Sequence, residues 1–501
     1  MNSTGRGELI PRMLVGISAY RIHAVAFFAA ITLVTRCSIL GDWNHEIDVQ
    51  FYMLAGRRLL DGAVLYVDVW DRKPPTLYLT YAILTAFPDP FLAVQLAGAV
   101  CTVLASYGLY RIAWTYTNPQ GSLLAGAAYA VLTMQFGGGT AEVPILFAPL
   151  MVAGAWSLVT ALPGLSRGAV PPRIFAGIAC AGLALSFKQS ALLECLAFGI
   201  AVIGLAWRGG AEKCYLVKTA LLLSFTGALP LLAVAMWYWG TGHFAVLWQS
   251  LVLSNTTRLF DTGAGMVARY AILAELLAPI GLFAVLGARA MRPLREAPKP
   301  YFLALGWLAA ASAALLSYPG LYLHYALPLL LPLCLVAAPF FARRDIGLAA
   351  FGLLSVATLI HAGAFNFAER ARSRAASAQI VEYLRRETPQ HRLLVLNSSP
   401  WLYREVHSVP PPTALLFPPH LYDGAEAGAS GLDTSAELRR VLDWRPEAVV
   451  IQVPLPAQPL NQATVAMVDT YVHRCKRLRQ FTLHDHNGPQ VQAVYTGCAA
   501  V

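Results

Sequence analysis

Two carboxylates stand close together in Glu46-Ile47-Asp48-Val49-Gln50-Phe51-Tyr52, just after an apolar run, and the same loop ends in Lys73-Pro74-Pro75. A carboxylate in that setting can take a proton from a hydroxyl nucleophile, and a fixed ammonium can stabilise an anionic leaving group. On a helix starting near Ile47, Asp48 and Tyr52 share a face at i and i+4, so the loop aims a carboxylate in one direction. The prolines after Lys73 remove a backbone donor and keep the chain extended. Farther along come Glu142, closing Gly137-Gly138-Gly139-Thr140-Ala141-Glu142, then Lys188-Gln189, Arg258 and His324-Tyr325. Each has a plainer reading: a solvated turn with helix caps for Glu46 and Asp48, a carboxylate at a helix N-terminus for Glu142, snorkelling for Lys188 and Arg36, and a satisfied interfacial histidine for His324. His45 beside Glu46 and Asp48 raises the question of a metal. No further ligand cluster with regular spacing follows, so no metal or other cofactor is expected.

The elements that must position these residues are membrane helices. Of 501 residues only 13% are charged and 57% are hydrophobic, with a mean hydropathy of +0.54. That composition excludes an ordinary soluble enzyme, a disordered chain and a coiled coil. Apolar runs of spanning length predict about eleven transmembrane helices between Ala24 and Phe365. The first carries Arg36 and no small-x-small cleavage site, so it reads as an uncleaved helix. With the N-terminus inside, Arg111, Arg167, Arg173, Arg208, Lys213, Arg289, Arg343 and Arg344 fall in cytoplasmic loops, whereas the opposite short loops around 137–140 and 317–320 lack Lys and Arg. This asymmetry accounts for the net charge of +10 without nucleic acid. Two outer loops are long: 42–88, with a helical pattern at Val49–Leu60 and an amphipathic stretch at Thr76–Phe87, and 239–268.

Residues 1–367 thus read as a polytopic, mainly α membrane domain, and 368–501 as a small extracytoplasmic α/β domain. The latter has a helix through Arg374–Glu387, strands at Leu393–Leu396, Ala448–Val453 and Val491–Tyr495, and a helix at Thr434–Leu442. Only Cys475 and Cys498, both in this polar part, are placed to pair.

The ordered set is more specific than any single motif. An acid after the first span, then Tyr-x-x-Ala, Leu-x-x-Gly-x-x-x-Tyr-x-Asp and Lys-Pro-Pro, followed by Glu142, Lys188-Gln189 and His324-Tyr325, resembles the protein mannosyltransferase-like branch of the class C (GT-C) glycosyltransferases. That branch includes the lipid A aminoarabinose transferases. The resemblance covers the membrane part; the C-terminal part matches in placement and type. It implies a multi-pass protein of the cytoplasmic membrane that transfers a sugar, with inversion, from a polyprenyl-phosphate donor to a lipid, glycan or protein acceptor on the outer face. Asp48 is then the expected base with Glu46 in reserve, because Glu46-Ile47-Asp48 replaces the adjacent Asp-Glu of many members. Glu142 would orient the acceptor or hold the Asp48 loop. Lys73, Lys188, Gln189, Arg58 and Arg258 are the candidates for the donor phosphate. Tyr52, Tyr66, His324 and Tyr325 are candidates for contact with substrate, although aromatic residues at this level also form an interfacial belt. The competing readings are a transporter or flippase of glycan precursors, a non-catalytic assembly protein, and a ligase or polymerase using lipid diphosphates.

Overall fold

A computed structural model describes residues 9–44, 46–258, 263–318, 320–455, 459–485 and 488–498, with side chains from Ile22 onward. His45 lies outside the described residues. The helices follow in order as α1 (Leu9–Arg36), α2 (Ile47–Leu60), α3 (Pro75–Thr85), α4 (Pro90–Ala113), α5 (Pro119–Leu132), α6 (Val143–Leu165), α7 (Arg173–Leu185), α8 (Leu192–Arg208), α9 (Lys213–Gly240), α10 (Phe244–Trp248), α11 (Ser254–Thr257), α12 (Ala264–Ala290), α13 (Lys299–Leu316), α14 (Leu327–Phe341), α15 (Arg344–His361) and α16 (Phe367–Glu387).

Each of the eleven apolar runs read from the sequence overlaps one of these helices, though among the described residues fewer than eleven are of spanning length. Eight, namely α4, α6, α8 with its leading turn, α9, α12, α13, α14 and α15, are long and apolar enough to cross a membrane, while 22–36 of α1 and α7 are shorter apolar helices. The chain is a multi-pass membrane protein. Helices α6 and α14 are largely enclosed by their neighbours, whereas α9, α12 and α15 present Leu221, Phe225, Met236, Leu282, Leu353 and Ile360 outward. In water such a surface would be a liability; against hydrocarbon it is the solvated face.

The polar chemistry collects at one end of the bundle. There α2 and α3 form a hairpin whose helices start differently. Pro75 sits at the first position of α3, where its missing N–H costs no hydrogen bond. Glu46 precedes α2, placing Asp48 in the first turn, where the helix dipole favours a carboxylate. One face of α3, with Leu77, Tyr78 and Tyr81, is buried, and the other exposes Leu79 and Ile83, so the helix is apolar on both faces and not amphipathic as expected.

From α16 onward the chain is a small α/β part. Its four-stranded sheet has the order β1-β2-β4-β3, with β1 (Leu393–Asn397) parallel to β2 (Ala448–Val453) and β4 (Gly488–Thr496) antiparallel to both β2 and β3 (Arg477–Asp485). Short helices α17 (Leu402–Glu405) and α18 (Pro419–Tyr422) and the longer α19 (Thr434–Asp443) and α20 (Gln462–Val472) connect the strands. Strand β3 and helix α20 were not anticipated: the polar Arg477-Leu478-Arg479-Gln480 run lacks a strong strand signature and is held by its register against β4. Cys475 and Cys498 are joined by a disulfide. The α/β part is tied to the bundle end by Arg370 and Ser373 of α16, which reach Asp42 at 3.4 and 3.1 Å. Gln50 of α2 accepts a hydrogen bond from Ser399, and the Trp70 amide donates to the Ala414 carbonyl at 2.9 Å.

Candidate functional site

A cavity of about 610 Å³ lies between the bundle end and the α/β part. Its bundle side carries Glu46, Asp48, Asp71, Arg72, Lys73, Lys188, Gln189, Arg258, His324 and Tyr325, and its other wall comes from Phe417, Pro419, His420, Tyr422, Asp423 and Glu426. Residues more than 350 positions apart in sequence therefore face one hollow, as the Arg72–Glu426 pair (|i−j| of 354) illustrates.

Asp48 projects from the first turn of α2, with its Oδ2 4.0 Å from His324 Nε2. Glu142, just before α6, stands behind it with both carboxylate oxygens buried and without a hydrogen bond among the described residues. Burial, and then the Asp48 charge, raise the Glu142 carboxyl above its ordinary value. One ligand atom each from Asp48, Glu142 and His324 lie within 4.8 Å of one another. Two carboxylates and an imidazole form a donor set suited to a divalent cation, and the unpartnered Glu142 oxygens fit that use. Sequence spacing could not reveal this set, because its members come from three distant segments.

Lys73 and Lys188 approach from different elements. Lys73 lies 3.4 Å from Asp71 and 4.9 Å above the Tyr52 ring, and its carbonyl accepts the Tyr66 hydroxyl at 2.6 Å. Tyr52 and Tyr66 therefore brace Lys73 from behind and do not themselves line the cavity, contrary to the substrate contact expected of them. Lys188 lies 4.2 Å from the centroid of the Tyr325 ring; burial lowers its ammonium, against the pull of Glu142. Gln189 donates to the Arg72 carbonyl at 2.8 Å, pinning the Lys73 loop to the α7–α8 turn.

Arg58 does not reach this hollow. It sits ten residues beyond Asp48 on the same helix, about 15 Å along the axis. Arg36 neither snorkels nor meets the cavity; it is buried among α1, α4 and α5.

Three contributors were missed. Asp71 accepts the Tyr78 hydroxyl and lies 3.8 Å from His420; burial would raise it, but Lys73 and His420 outweigh that and hold its carboxyl down at about 2. The contiguous Asp71-Arg72-Lys73 run was the available signal. Glu426 binds Arg72 through both carboxylate oxygens and Arg258 at 3.0 Å. His420 packs edge-on against Trp70 and Phe417, and burial pulls its imidazole down to about 4, leaving it neutral at neutral pH. Nothing in the sequence around Phe417–Glu426 announced these roles.

No known family profile matches the sequence, and no curated protein matches it. Solved structures do. ArnT from Cupriavidus metallidurans bound to undecaprenyl phosphate is similar at 14% identity over 94% of this chain and 97% of that one, with a TM-score of 0.59. Its apo form is similar at 13% identity, 95% and 98% coverage, and a TM-score of 0.56. The apo oligosaccharyltransferase of Archaeoglobus fulgidus is more distant, at 12% identity, 86% and 69% coverage and 0.49. The alignment spans nearly the whole of both chains, so this chain has the fold of ArnT, the GT-C fold.

Proposed function

We propose that the protein is a membrane glycosyltransferase that moves a sugar from a polyprenyl-phosphate donor to a hydroxyl acceptor, inverting the anomeric carbon. One observation carries the reading: Asp48, Lys73 and Lys188, supplied by separate segments, line the same hollow at the bundle end.

In this reaction Asp48 takes the proton of the acceptor hydroxyl as its oxygen bonds to the anomeric carbon. The bond from that carbon to the phosphate oxygen breaks, and its electron pair leaves with the polyprenyl phosphate. Lys73, Lys188 and Arg258 meet the developing phosphate charge, in a partly dehydrated setting where fixed cations act strongly. Asp48, Glu142 and His324 would hold any divalent cation bound there, which would supply further positive charge toward phosphate oxygens.

One small hollow adjoins the cavity at Lys188 and Tyr325, and a second, apolar one lies farther along the bundle. The first is bounded by Lys188, Glu194, Leu315 and Tyr325, and the second, of about 350 Å³, lies among Leu158, Phe198, Leu303 and Trp307. The second offers a prenyl chain apolar surroundings inside the bundle. Basic residues at the opposite end of the bundle, including Arg111, Arg167, Arg208 and Arg289, favour an orientation with the cavity on the outer side of the cytoplasmic membrane.

The test uses polyprenyl-phosphate sugars, a panel labelled in the sugar, with membranes from cells lacking the protein as acceptor source. Label should move to acceptor with the wild type and fail to move with Asp48→Asn. Label crossing proteoliposome membranes without bond cleavage would instead establish the flippase reading.

A further inference from the structure

Arg36 is a cation inside the bundle, 2% exposed, and among the described residues no carboxylate lies within ion-pair distance of it. Its Nη2 donates to Thr133 Oγ1 at 2.9 Å, Thr102 Oγ1 at 3.2 Å and the Gly138 carbonyl at 3.0 Å. Both threonine hydroxyls spend their own protons on their helices, Thr102 on Gly98 and Thr133 on Ala130, so each faces Arg36 as an acceptor. Hydroxyls and a carbonyl are weak compensation for a charge at this depth, and a membrane protein keeps such a residue where geometry depends on it.

The geometry in question is the turn 137–142. Gly137 adopts a left-handed φ of 74°, and a Cβ there would come within 3.2 Å of Glu46 Oε1. Gly138 takes the Arg36 hydrogen bond, and Ala141 accepts the Tyr81 hydroxyl at 2.7 Å. Gly98 of α4 lies so near the turn that a Cβ would meet the Thr140 carbonyl at 2.5 Å. Glu142 follows directly, beside Asp48 and His324. The turn therefore touches Glu46 at one end and delivers Glu142 at the other, and Arg36 grips it from the bundle interior.

We propose that Arg36 is a positioning residue, which fixes the 137–142 turn so that Glu142 and Glu46 stand in place around Asp48. This rests on reading the cavity as a transferase site, and the experiment separates the two.

Arg36→Met, Arg36→Lys and Thr133→Val are made in the full chain, alone and combined with Glu142→Gln, and assayed with the labelled donor panel above. Misplacing a group by about 1 Å can cost on the order of a hundredfold. Arg36→Met should therefore lower kcat by about that factor with donor KM nearly unchanged. Arg36→Lys, which keeps the charge but only a point donor, should lose less. With Glu142→Gln already present, Arg36→Met should cost less than about threefold more, because residues acting through one another are not additive. Thr133→Val keeps the cation and removes one acceptor, and its smaller loss should also vanish in the Glu142→Gln background, which carries the test if Arg36→Met does not insert. Losses that multiply fully, or that fall on KM alone, overturn the proposal while leaving the transferase reading standing. No transfer by the wild type, with Asp48→Asn and Glu142→Gln indistinguishable from it, overturns the transferase reading and the proposal with it.

Discussion

Neutralising Glu426 should loosen the wall of the cavity more than any other single change in the α/β part. The carboxylate lies between Arg72 of the long loop and Arg258 of the α11–α12 connection, with side-chain exposures of 5%, 10% and 10%. Glu426→Gln leaves two buried guanidiniums facing one amide oxygen. Removing one partner of a buried pair costs about 3–5 kcal/mol, mostly as the penalty on the charge left behind, which is roughly two to four decades in a local opening constant. Hydrogen exchange in nanodiscs should show this as faster exchange in Phe417–Glu426 and Trp70–Lys73, with β1 and β2 unchanged as an internal reference. Adding Arg258→Met removes one of the two buried guanidinium charges and should recover much of the protection. The wild type should behave similarly in acid. Burial opposes ionisation of Glu426, yet Arg72 and Arg258 hold its carboxyl at about 2 against an ordinary 4.5. A depressed carboxyl stabilises fully above its unfolded value, so the contribution is intact above pH 4.5 and fades as pH falls toward 2. Uniform acceleration across the sheet, or none at the wall, would refute the reasoning.

Asp48→Asn should cut transfer by roughly 10²- to 10⁴-fold, the usual worth of a positioned base, and Glu46→Gln by less; full activity in both variants would remove the base from this loop. Mn²⁺ or Zn²⁺ should raise the melting temperature of the wild type and leave His324→Ala and Glu142→Gln unmoved, and an equal rise in all three would place the ion elsewhere. Replacing both Cys475 and Cys498 by Ala should destabilise the α/β part by about 3 kcal/mol, as expected for a loop of this sequence separation, 23 residues, in chemical unfolding of the full chain. An unchanged midpoint would show that the sheet and its packing already restrain that segment.

The membrane helices were legible because a span is a one-dimensional signal: twenty apolar residues in a row, with charges at the ends. Asp48, Lys73 and Lys188 were legible because their order along the chain is distinctive, and the cavity does gather them. The failures have one cause, which is that a linear reading carries no depth. Arg58 belongs to the same loop as Asp48 but stands at the far end of α2. Tyr52 and Tyr66 have the right chemistry for a ligand, yet α2 and the left-handed backbone of Tyr66 turn them behind Lys73. Arg36 read as a snorkelling side chain because its distance from the helix end allows that; which side of α1 faces α4 and α5 decided otherwise. The contributions of His420 and Glu426 depend on how the α/β part docks, and docking leaves no periodicity in a sequence.

The wall formed by Phe417–Glu426 also bears on biogenesis. Translation delivers α2, with its acid, long before this segment leaves the ribosome. The helices can be inserted and the lysines seated while the chamber is still a bowl open to water. A nascent chain at that stage has its charged groups solvated and its hollow unsealed, so docking of the α/β part sets the moment at which the interior is enclosed.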